Sequence, residues 1–200
     1  MVSNYKKSSV ILKQKGVSIV GDKTSIVNAD ESAKIVLDGY LRLNVALPKG
    51  SKSETLVTLC ENSVLNVNGN FQAYYNTEIY VFKNAVLDIG SSYINAGAQI
   101  RCMERIRLGN GCAIGRNVMI MDFDAHDIYY SDGTKNNITK PITIENHVWI
   151  GAGATILKGV TLGEGCVVGA GSVVTKSFGA NTIIAGNPAK FIKYRPKVKV

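Results

Sequence analysis

The sequence has few of the residues that metal and redox sites need. It contains 2 histidines and 4 cysteines in 200 residues, and no two cysteines form a CxxC pair. Zinc held by three imidazoles is one common type of catalytic metal site. His126 and His147 cannot supply three imidazoles from one chain. We therefore expect no metal site.

The chain also lacks long apolar runs and a secretion signal. No segment approaches the roughly 20 apolar residues of a membrane span. Residues 1–16 carry lysines, but no apolar stretch long enough for a signal peptide. The cysteine spacing is not that of a disulfide framework, so the cysteines are most simply reduced. These absences favour a soluble, cytoplasmic protein without membrane insertion.

Acidic residues are missing from the C-terminal end. No Asp or Glu follows Glu164, and the net charge of the chain is +8. The basic residues beyond Glu164 are Lys176, Lys190, Lys193, Arg195, Lys197 and Lys199. Such an end attracts nucleic acid, an anionic membrane or a phosphorylated cofactor, or it is simply a solvated tail. Because no array of stacking aromatic residues or groove-reading element is present, we expect no nucleic-acid partner.

What the sequence does contain is a six-residue ladder. Large aliphatic residues occupy every sixth position from Ile144 to Val174, and mostly small residues such as Ala154 and Cys166 follow four positions after them. This period fits neither the helical repeat of about 3.6 residues nor the strand repeat of 2. A parallel β-helix explains it, since short strands place one large residue each at the axis and glycine serves the tight turns. We predict an all-β protein.

The ladder extends upstream in a less regular form and is interrupted once. Strand–turn units recur at spacings near 18 residues, which assigns the β-helix to residues 56–187. Residues 1–55 form a strand-rich flank or irregular first coils, and residues 188–200 a short basic C-terminal tail. In unbroken register Asp124 would point inward, where an unpaired carboxylate is costly. We therefore predict an excursion loop at about 122–141.

This loop is the main functional pointer, because it contains His126. Long polar loops on regular scaffolds are usually functional, and an imidazole suits general base catalysis near neutral pH. Asp122 or Asp124 could fix the tautomer of the imidazole if the segment is extended. The alternatives are that His126 is an ordinary surface residue and that the carboxylates are solvated. His147 is most simply an exposed turn residue.

Four segments resemble the hexapeptide-repeat acyltransferases, nearest to the maltose, galactoside and cell-surface-polysaccharide O-acetyltransferases. They occur in the order typical of that family: Asn146–Ala154, Ile156–Val160, Val168–Lys176 and Ala185–Lys190. The resemblance implies a left-handed parallel β-helix, acetyl-CoA as the donor, and a homotrimer with active sites between adjacent prisms.

The resemblance also implies roles for individual residues. Met121–His126 matches the segment that carries the family's catalytic base, which assigns that role to His126 and makes Asp124 a possible orienting residue. Asn95 matches an acceptor-contacting asparagine. The positions that match contacts with acetyl-CoA are Trp149 beside the reacting centre, Ala152 as a backbone oxyanion donor, Ala170, Thr175 and Lys176 along the groove, and Lys190 and Lys193 near the phosphates.

The loop departs from the maltose type, which has a His-Pro pair and an arginine. Here Asp127 follows His126, and Lys135 and Lys140 are the basic residues of the loop. This difference predicts another acceptor pocket. We expect an acetyl-CoA-dependent O-acetyltransferase that acts on a sugar hydroxyl in capsule or surface-polysaccharide biosynthesis. N-acetylation of an amino sugar and a non-catalytic β-helix scaffold are the alternatives.

Overall fold

The computed structural model describes residues 10–12, 16 and 18–195. Expectations that concern residues 1–9, 13–15, 17 and 196–200 lie outside the described residues. These are the expectation that the N-terminal residues form no signal peptide, and the expectation of a basic tail as far as it concerns Lys197 and Lys199.

The described residues contain strands and no helix. The strands in chain order are β1 (Val10–Leu12), β2 (Ser18–Val20), β3 (Ser25–Ala29), β4 (Lys34–Asp38), β5 (Tyr40–Val45), β6 (Thr55–Leu59), β7 (Val64–Tyr74), β8 (Glu78–Val81), β9 (Val86–Ile94), β10 (Gln99–Cys102), β11 (Arg105–Leu108), β12 (Ala113–Ile114), β13 (Met119–Met121), β14 (Ile142–Ile144), β15 (Trp149–Ile150), β16 (Thr155–Ile156), β17 (Thr161–Leu162), β18 (Val167–Val168), β19 (Val173–Val174), β20 (Thr182–Gly186) and β21 (Ala189–Tyr194).

These strands pair in parallel on three faces of a prism, except β21. Face A carries β3, β6, β8, β10, β13, β16 and β19. Face B carries β1, β4, β11, β14 and β17, with residues 64–68 of β7 and 86–90 of β9. Face C carries β2, β5, β12, β15, β18 and β20, with residues 71–74 of β7 and 92–94 of β9. The chain visits A, B and C in turn, so that three strands complete one coil.

The six-residue ladder is confirmed as the axis of the prism. Its members take the faces in rotation, and each pairs with the residue 18 positions later: Ile144 with Leu162 on face B, Ile150 with Val168 on face C, and Ile156 with Val174 on face A. All six are at most 1% exposed, and the smaller residues Ala154 and Cys166 are fully buried. A large residue from each strand and a smaller one from most corners fill the narrow interior.

The turns between faces form three corners, named here after the faces that they join. The AB corner includes residues 103–104, 157–160 and 175–177. The BC corner includes residues 109–112, 145–148 and 163–166. The CA corner includes residues 95–98, 115–118, 151–154 and 169–172. Equivalent turns stack on one another, so a corner residue has its counterpart directly above or below it in the next coil.

The third residue of these four-residue turns has a positive φ. It is Gly153 (68°) at the CA corner, with Asn117 (55°) in the coil before it. At the BC corner it is His147 (58°), whose side chain is exposed. Histidine and asparagine enter this left-handed region more readily than most residues. The interpretation of His147 as an exposed turn residue is confirmed.

The two ends of the prism differ from the ladder. Strands β2 to β6 pair in parallel with the coils that follow, and a polar loop at residues 46–54 separates β5 from β6. At the other end, the expected C-terminal tail is partly a strand. β21 runs antiparallel to β20, with Lys193 opposite Ile183, and it extends face C by one strand.

The cysteines behave as the sequence predicted. All four are free, and Cys112 and Cys166 are buried in the core, as expected. Cys102 is buried as well. Within the part of the chain that the structure describes, no helix is long and apolar enough to cross a membrane.

Candidate active site

The predicted excursion is confirmed between β13 and β14, and it leaves the prism at the AB corner. It was expected to be an irregular loop, but it forms an antiparallel hairpin. Its bridges join Phe123 to Thr139 and Tyr129 to Lys135. His126 lies on the outgoing strand, between the two bridges. The hairpin therefore gives this histidine a more defined position than an irregular loop would.

The hairpin begins at a buried carboxylate. Asp122 is 0% exposed and accepts the backbone N–H groups of Met103 at 2.6 Å, Glu104 at 2.9 Å and Arg105 at 2.8 Å. These residues belong to the AB corner of the preceding coil or adjoin it. Burial raises the pKa of the Asp122 carboxyl above its ordinary value, and the three N–H bonds only reduce that rise. A solvated loop carboxylate is thus the wrong interpretation of Asp122.

Lys158 attaches the hairpin to the AB corner of the following coil. Its Nζ donates to Asp124 Oδ2 at 2.5 Å, to the Asn137 carbonyl, and to the Ile138 carbonyl at 3.4 Å. The bond from Lys158 lowers the pKa of the Asp124 carboxyl, because the ammonium group favours the charged form. One lysine thereby binds both strands of the hairpin.

His126 lies on the exposed side of the hairpin. Its imidazole makes no hydrogen bond or ion pair with any residue that the structure describes. Asp124, the possible orienting residue, binds Lys158 and the Asn136 side chain (2.8 Å) instead. Asp124 therefore orients the hairpin and not the imidazole, which corrects that prediction. Both ring nitrogens of His126 remain available to a substrate.

The CA corner presents backbone donors. The N–H groups of Ala152 and Ala170 have no acceptor within the described chain, and both residues are exposed. A Cβ at Gly151 would lie 2.6 Å from the Ala170 nitrogen, so glycine is required where the coils approach so closely. The free N–H of Ala152 can bind an oxygen that becomes negatively charged during a reaction.

Asn95 lies at the same corner, two coils toward the N-terminus. Its side-chain oxygen accepts the Ala96 N–H at 2.8 Å, and its side-chain nitrogen has no partner in the described chain. Gly115 and Gly151 occupy the equivalent positions of the next two coils. The Asn95 amide therefore lies at the upper end of a column that has no side chains.

Face C carries an outward column of residues in register. Its successive members are Tyr93, Ala113, Trp149, Val167, Ile183 and Lys193. Tyr93 is 41% exposed and Trp149 58% exposed, with the small Ala113 between them. Trp149, Val167, Ile183 and Arg195 line a groove of about 420 Å³. The column thus passes from aromatic to aliphatic side chains and ends at the basic strand β21.

The predicted site residues fall on three parts of the prism. The AB corner holds His126, Thr175 and Lys176; the CA corner holds Asn95, Ala152 and Ala170; face C and its edge strand hold Trp149, Lys190 and Lys193. Face A separates the AB corner from the CA corner. One chain therefore does not bring the imidazole of His126 to the free N–H of Ala152.

Sequence reasoning missed three residues near these groups. Asn136 and Lys158 hold the hairpin, and Arg116 occupies the CA corner one coil above Ala152. The Arg116 guanidinium lies 5.6 Å from the Tyr75 ring centre and donates two 3.2 Å hydrogen bonds to the Tyr75 hydroxyl. An arginine or lysine in a repeat turn has no sequence signal that sets it apart. Among the described residues, no group of three or more His, Cys, Asp or Glu side chains could hold a metal ion.

Comparison with known proteins identifies the family. The model of the hexapeptide repeat of succinyl-transferase matches residues 141–176, which contain the strict ladder. The chain is 31% identical over 139 residues to the putative lipopolysaccharide biosynthesis O-acetyl transferase of Escherichia coli K12, and the match covers 64% of this chain and 71% of that protein. This chain belongs to the hexapeptide-repeat acyltransferases. The predicted resemblance is confirmed.

Solved structures of hexapeptide-repeat acyltransferases share the fold. The polySia-specific acetyltransferase has a TM-score of 0.69 at 26% identity, over 98% of this chain and 86% of that chain. An acetyltransferase of Vibrio cholerae O1, in complex with acetyl-CoA, has a TM-score of 0.52 at 27% identity, over 60% and 66% of the two chains. The fold is the left-handed parallel β-helix of this family, as predicted.

Other curated relatives are matched over only part of their length. The chain spans about half or less of proteins named putative acetyltransferase from Dictyostelium discoideum and Schizosaccharomyces pombe, and of the polysialic acid O-acetyltransferase of Escherichia coli O1:K1, with 55%, 42% and 39% covered. The substrates and partners of the whole protein are therefore matters for proposal.

Proposed function

We propose that this protein transfers an acetyl group from acetyl-CoA to a sugar hydroxyl, with His126 as the general base, in the biosynthesis of a capsule or another surface polysaccharide. The observation that carries the proposal is an exposed, unpartnered imidazole on a hairpin that is bound to the prism through both strands. Such an imidazole can accept a proton near neutral pH. The attached hairpin supplies the fixed geometry that proton transfer needs.

The proposed reaction is a direct acyl transfer. The His126 imidazole takes the hydroxyl proton as the sugar oxygen attacks the thioester carbonyl carbon. The carbonyl electrons move to oxygen, where the N–H of Ala152 stabilises the negative charge. The carbonyl then re-forms, the carbon–sulfur bond breaks, and the imidazolium returns its proton to the thiolate. The products are the acetylated sugar and CoA.

Acetyl-CoA as the donor is supported by a neighbour and by the chemistry of face C. The Vibrio cholerae structure at TM-score 0.52 holds acetyl-CoA. In this chain Trp149 and the aliphatic residues below it suit the apolar pantetheine arm. Lys190 and Lys193, on the strand at the end of that column, suit the phosphates of CoA.

Calorimetric titration with acetyl-CoA tests the donor. We expect micromolar binding, and about tenfold weaker binding by Lys193→Glu, because reversing a charge beside the phosphates replaces attraction with repulsion. Lys34→Glu makes the same charge change on face B, away from the column, and should bind as the wild type does. Absence of binding by the wild-type protein would refute acetyl-CoA as the donor and favour a non-catalytic scaffold.

A sugar acceptor is supported by relatives and by residues above Trp149. The matched Escherichia coli proteins are named for lipopolysaccharide biosynthesis and for polysialic acid. Tyr93 offers an exposed ring on which a sugar can stack, and Asn95 offers a free amide nitrogen to a hydroxyl. A panel of galactose, oligosialic acid and glucosamine tests the acceptor. A hydroxylamine-labile product marks an O-acetyl ester, whereas a stable product from glucosamine would favour the N-acetyltransferase alternative.

We also propose a homotrimer, because the site residues of one chain lie too far apart around the prism. The AB corner of one subunit, with His126, Thr175 and Lys176, would face the CA corner of the next, with Ala152 and Ala170. Subunit mixing tests this arrangement. His126→Ala and Trp149→Ala should each be nearly inactive, but random mixed trimers should recover about a quarter of wild-type activity, since about a quarter of interfaces combine two intact halves. No recovery in verified mixed trimers would place the site within one chain.

A cytoplasmic location is proposed on two grounds. All four cysteines are free, which suits a reducing compartment. The proposed donor, acetyl-CoA, is made and used inside cells. Cell fractionation with an antibody to the protein tests this location, and recovery in a secreted fraction would contradict it.

A further inference from the structure

Asn136 is a buried polar residue inside the hairpin that carries His126. The residue as a whole is 9% exposed. Its amide oxygen accepts the Ile128 N–H at 2.9 Å, and its amide nitrogen donates to Asp124 Oδ2 at 2.8 Å and to the His126 carbonyl at 3.4 Å. A backbone N–H can only donate and a carboxylate can only accept, so these two partners fix the orientation of the amide. One side chain thus holds three alternate residues of the outgoing strand.

The segment around His126 depends on the Asn136 side chain, because the backbone hydrogen bonds between the two hairpin strands are interrupted there. Backbone bonds join Asp124 to Ile138 at 2.8 Å, and Ile128 to Asn136 at 2.9 Å. The N–H groups of residues 125–127 have no backbone acceptor within the described chain. The segment therefore bulges away from the opposite strand, and the Asn136 amide spans the gap.

Asp124 and Lys158 complete the arrangement. The Asp124 carboxylate accepts from both the Asn136 amide and the Lys158 ammonium group. Lys158 belongs to the AB corner, so the Asn136 side chain is connected through Asp124 to the rigid prism. A displacement of about 1 Å at a catalytic group can lower turnover by about two orders of magnitude.

We propose that Asn136 is a positioning residue, which holds the His126 backbone at the place where the imidazole meets the acceptor hydroxyl. This inference rests on the proposed role of His126 as the general base. It assigns no contact between Asn136 and the substrate. Its effect should therefore fall on the chemical step and spare the binding of the donor.

The test compares Asn136→Ala with Asn137→Ala. Asn137 is the exposed neighbour, and only its backbone carbonyl takes part in the hairpin contacts. Release of the CoA thiol from acetyl-CoA is followed with galactose or oligosialic acid as the acceptor, and with water alone. We expect Asn136→Ala to lower kcat between tenfold and a hundredfold with the KM for acetyl-CoA within twofold of wild type. Asn137→Ala should stay within twofold in both constants.

Amide hydrogen exchange supplies a second readout that needs no substrate. In Asn136→Ala the Ile128 N–H loses its side-chain acceptor, so exchange of the Ile128 amide should accelerate at least tenfold while the amides of β13 and β16 keep wild-type rates. Unchanged exchange there, or a kcat within twofold of wild type, would overturn the inference. An equal loss in Asn137→Ala would overturn it too. If exchange accelerates but the wild-type protein consumes no acetyl-CoA, the proposed function is refuted. The proposed effect of Asn136 on catalysis is then refuted as well.

Discussion

Replacing His126 by alanine should lower the turnover number by about two to four orders of magnitude. The exposed, unpartnered imidazole is the proposed general base, and its removal would leave the proposed sugar acceptor to attack as a neutral, weakly nucleophilic hydroxyl. The affinity for acetyl-CoA should stay within twofold of wild type, because none of the predicted acetyl-CoA contacts lies on the hairpin. Steady-state rates of thiol release and calorimetric titration measure the two effects separately.

A matched control keeps the change on the same hairpin. Ser131 is exposed at the turn of the hairpin and makes no side-chain hydrogen bond in the described chain, so Ser131→Ala should retain full turnover. Free imidazole added to His126→Ala should restore part of the rate, because it supplies the missing base from solution. A His126→Ala protein with wild-type turnover would remove this residue from the mechanism and favour the interpretation of His126 as an ordinary surface residue.

The prism could be predicted because its interior repeats with one period. Each strand needs one large residue at the axis, so Ile150 and Ile156 can be recognised as inward-facing residues of successive strands even when the pairing partners of those strands are unknown. The same logic found the excursion, since Asp124 could not occupy an inward position. A buried, periodic interior restricts which residue types can occupy the inward position of each strand. This restriction is visible in a single sequence.

The hairpin could not be predicted in detail, because its order comes from polar contacts between distant residues. Asp124 and His126 would point to the same side of an extended strand, which suggested that Asp124 orients His126. The actual partner is Lys158, which lies 34 positions away and reaches the hairpin only after the chain has completed most of another coil. Asn136 was equally hidden, since an asparagine in a polar loop usually points to solvent. Neither contact produces a periodic pattern in the sequence from which it could be predicted.

The placement of site residues around the prism is a third level that sequence alone did not reach. Ala152 and Thr175 both belong to motifs of the six-residue repeat region, yet the two residues lie at different corners of the prism. Within the strict ladder from Ile144 to Val174, coils are 18 residues long and a residue's position modulo 18 gives its corner, so the different corners of Ala152 and Thr175 could have been derived from the sequence. The antiparallel turn of β21 was not available, because its partner strand β20 has no six-residue signal beyond Ile184. Lys193 therefore lies on an edge strand of the sheet, where a short basic tail was expected.

Replacing Asp122 by alanine should lower the free energy of unfolding by about 3 kcal/mol. The buried carboxylate accepts three backbone N–H groups, from Met103, Glu104 and Arg105, and alanine leaves these donors without a partner. Asp127→Ala removes an exposed carboxylate from the same hairpin and should change stability by less than about 0.5 kcal/mol. Chemical denaturation of the variants at one protein concentration measures both. A change below about 1 kcal/mol for Asp122→Ala would mean that water replaces the carboxylate without cost.

The pH dependence of the Asp122 contribution has a definite sign. Because burial raises the pKa of this carboxyl in the folded protein above its ordinary value of 3.8, the folded state binds more protons than the unfolded state between those two pKa values. The stability contributed by Asp122 is therefore largest below 3.8 and declines as the pH rises through the folded pKa. Asp122→Ala lacks this component, so the stability advantage of the wild type should be greater near about pH 4 than near about pH 7. An advantage that grows toward neutral pH would show that the three N–H bonds outweigh burial and that the carboxylate is held charged.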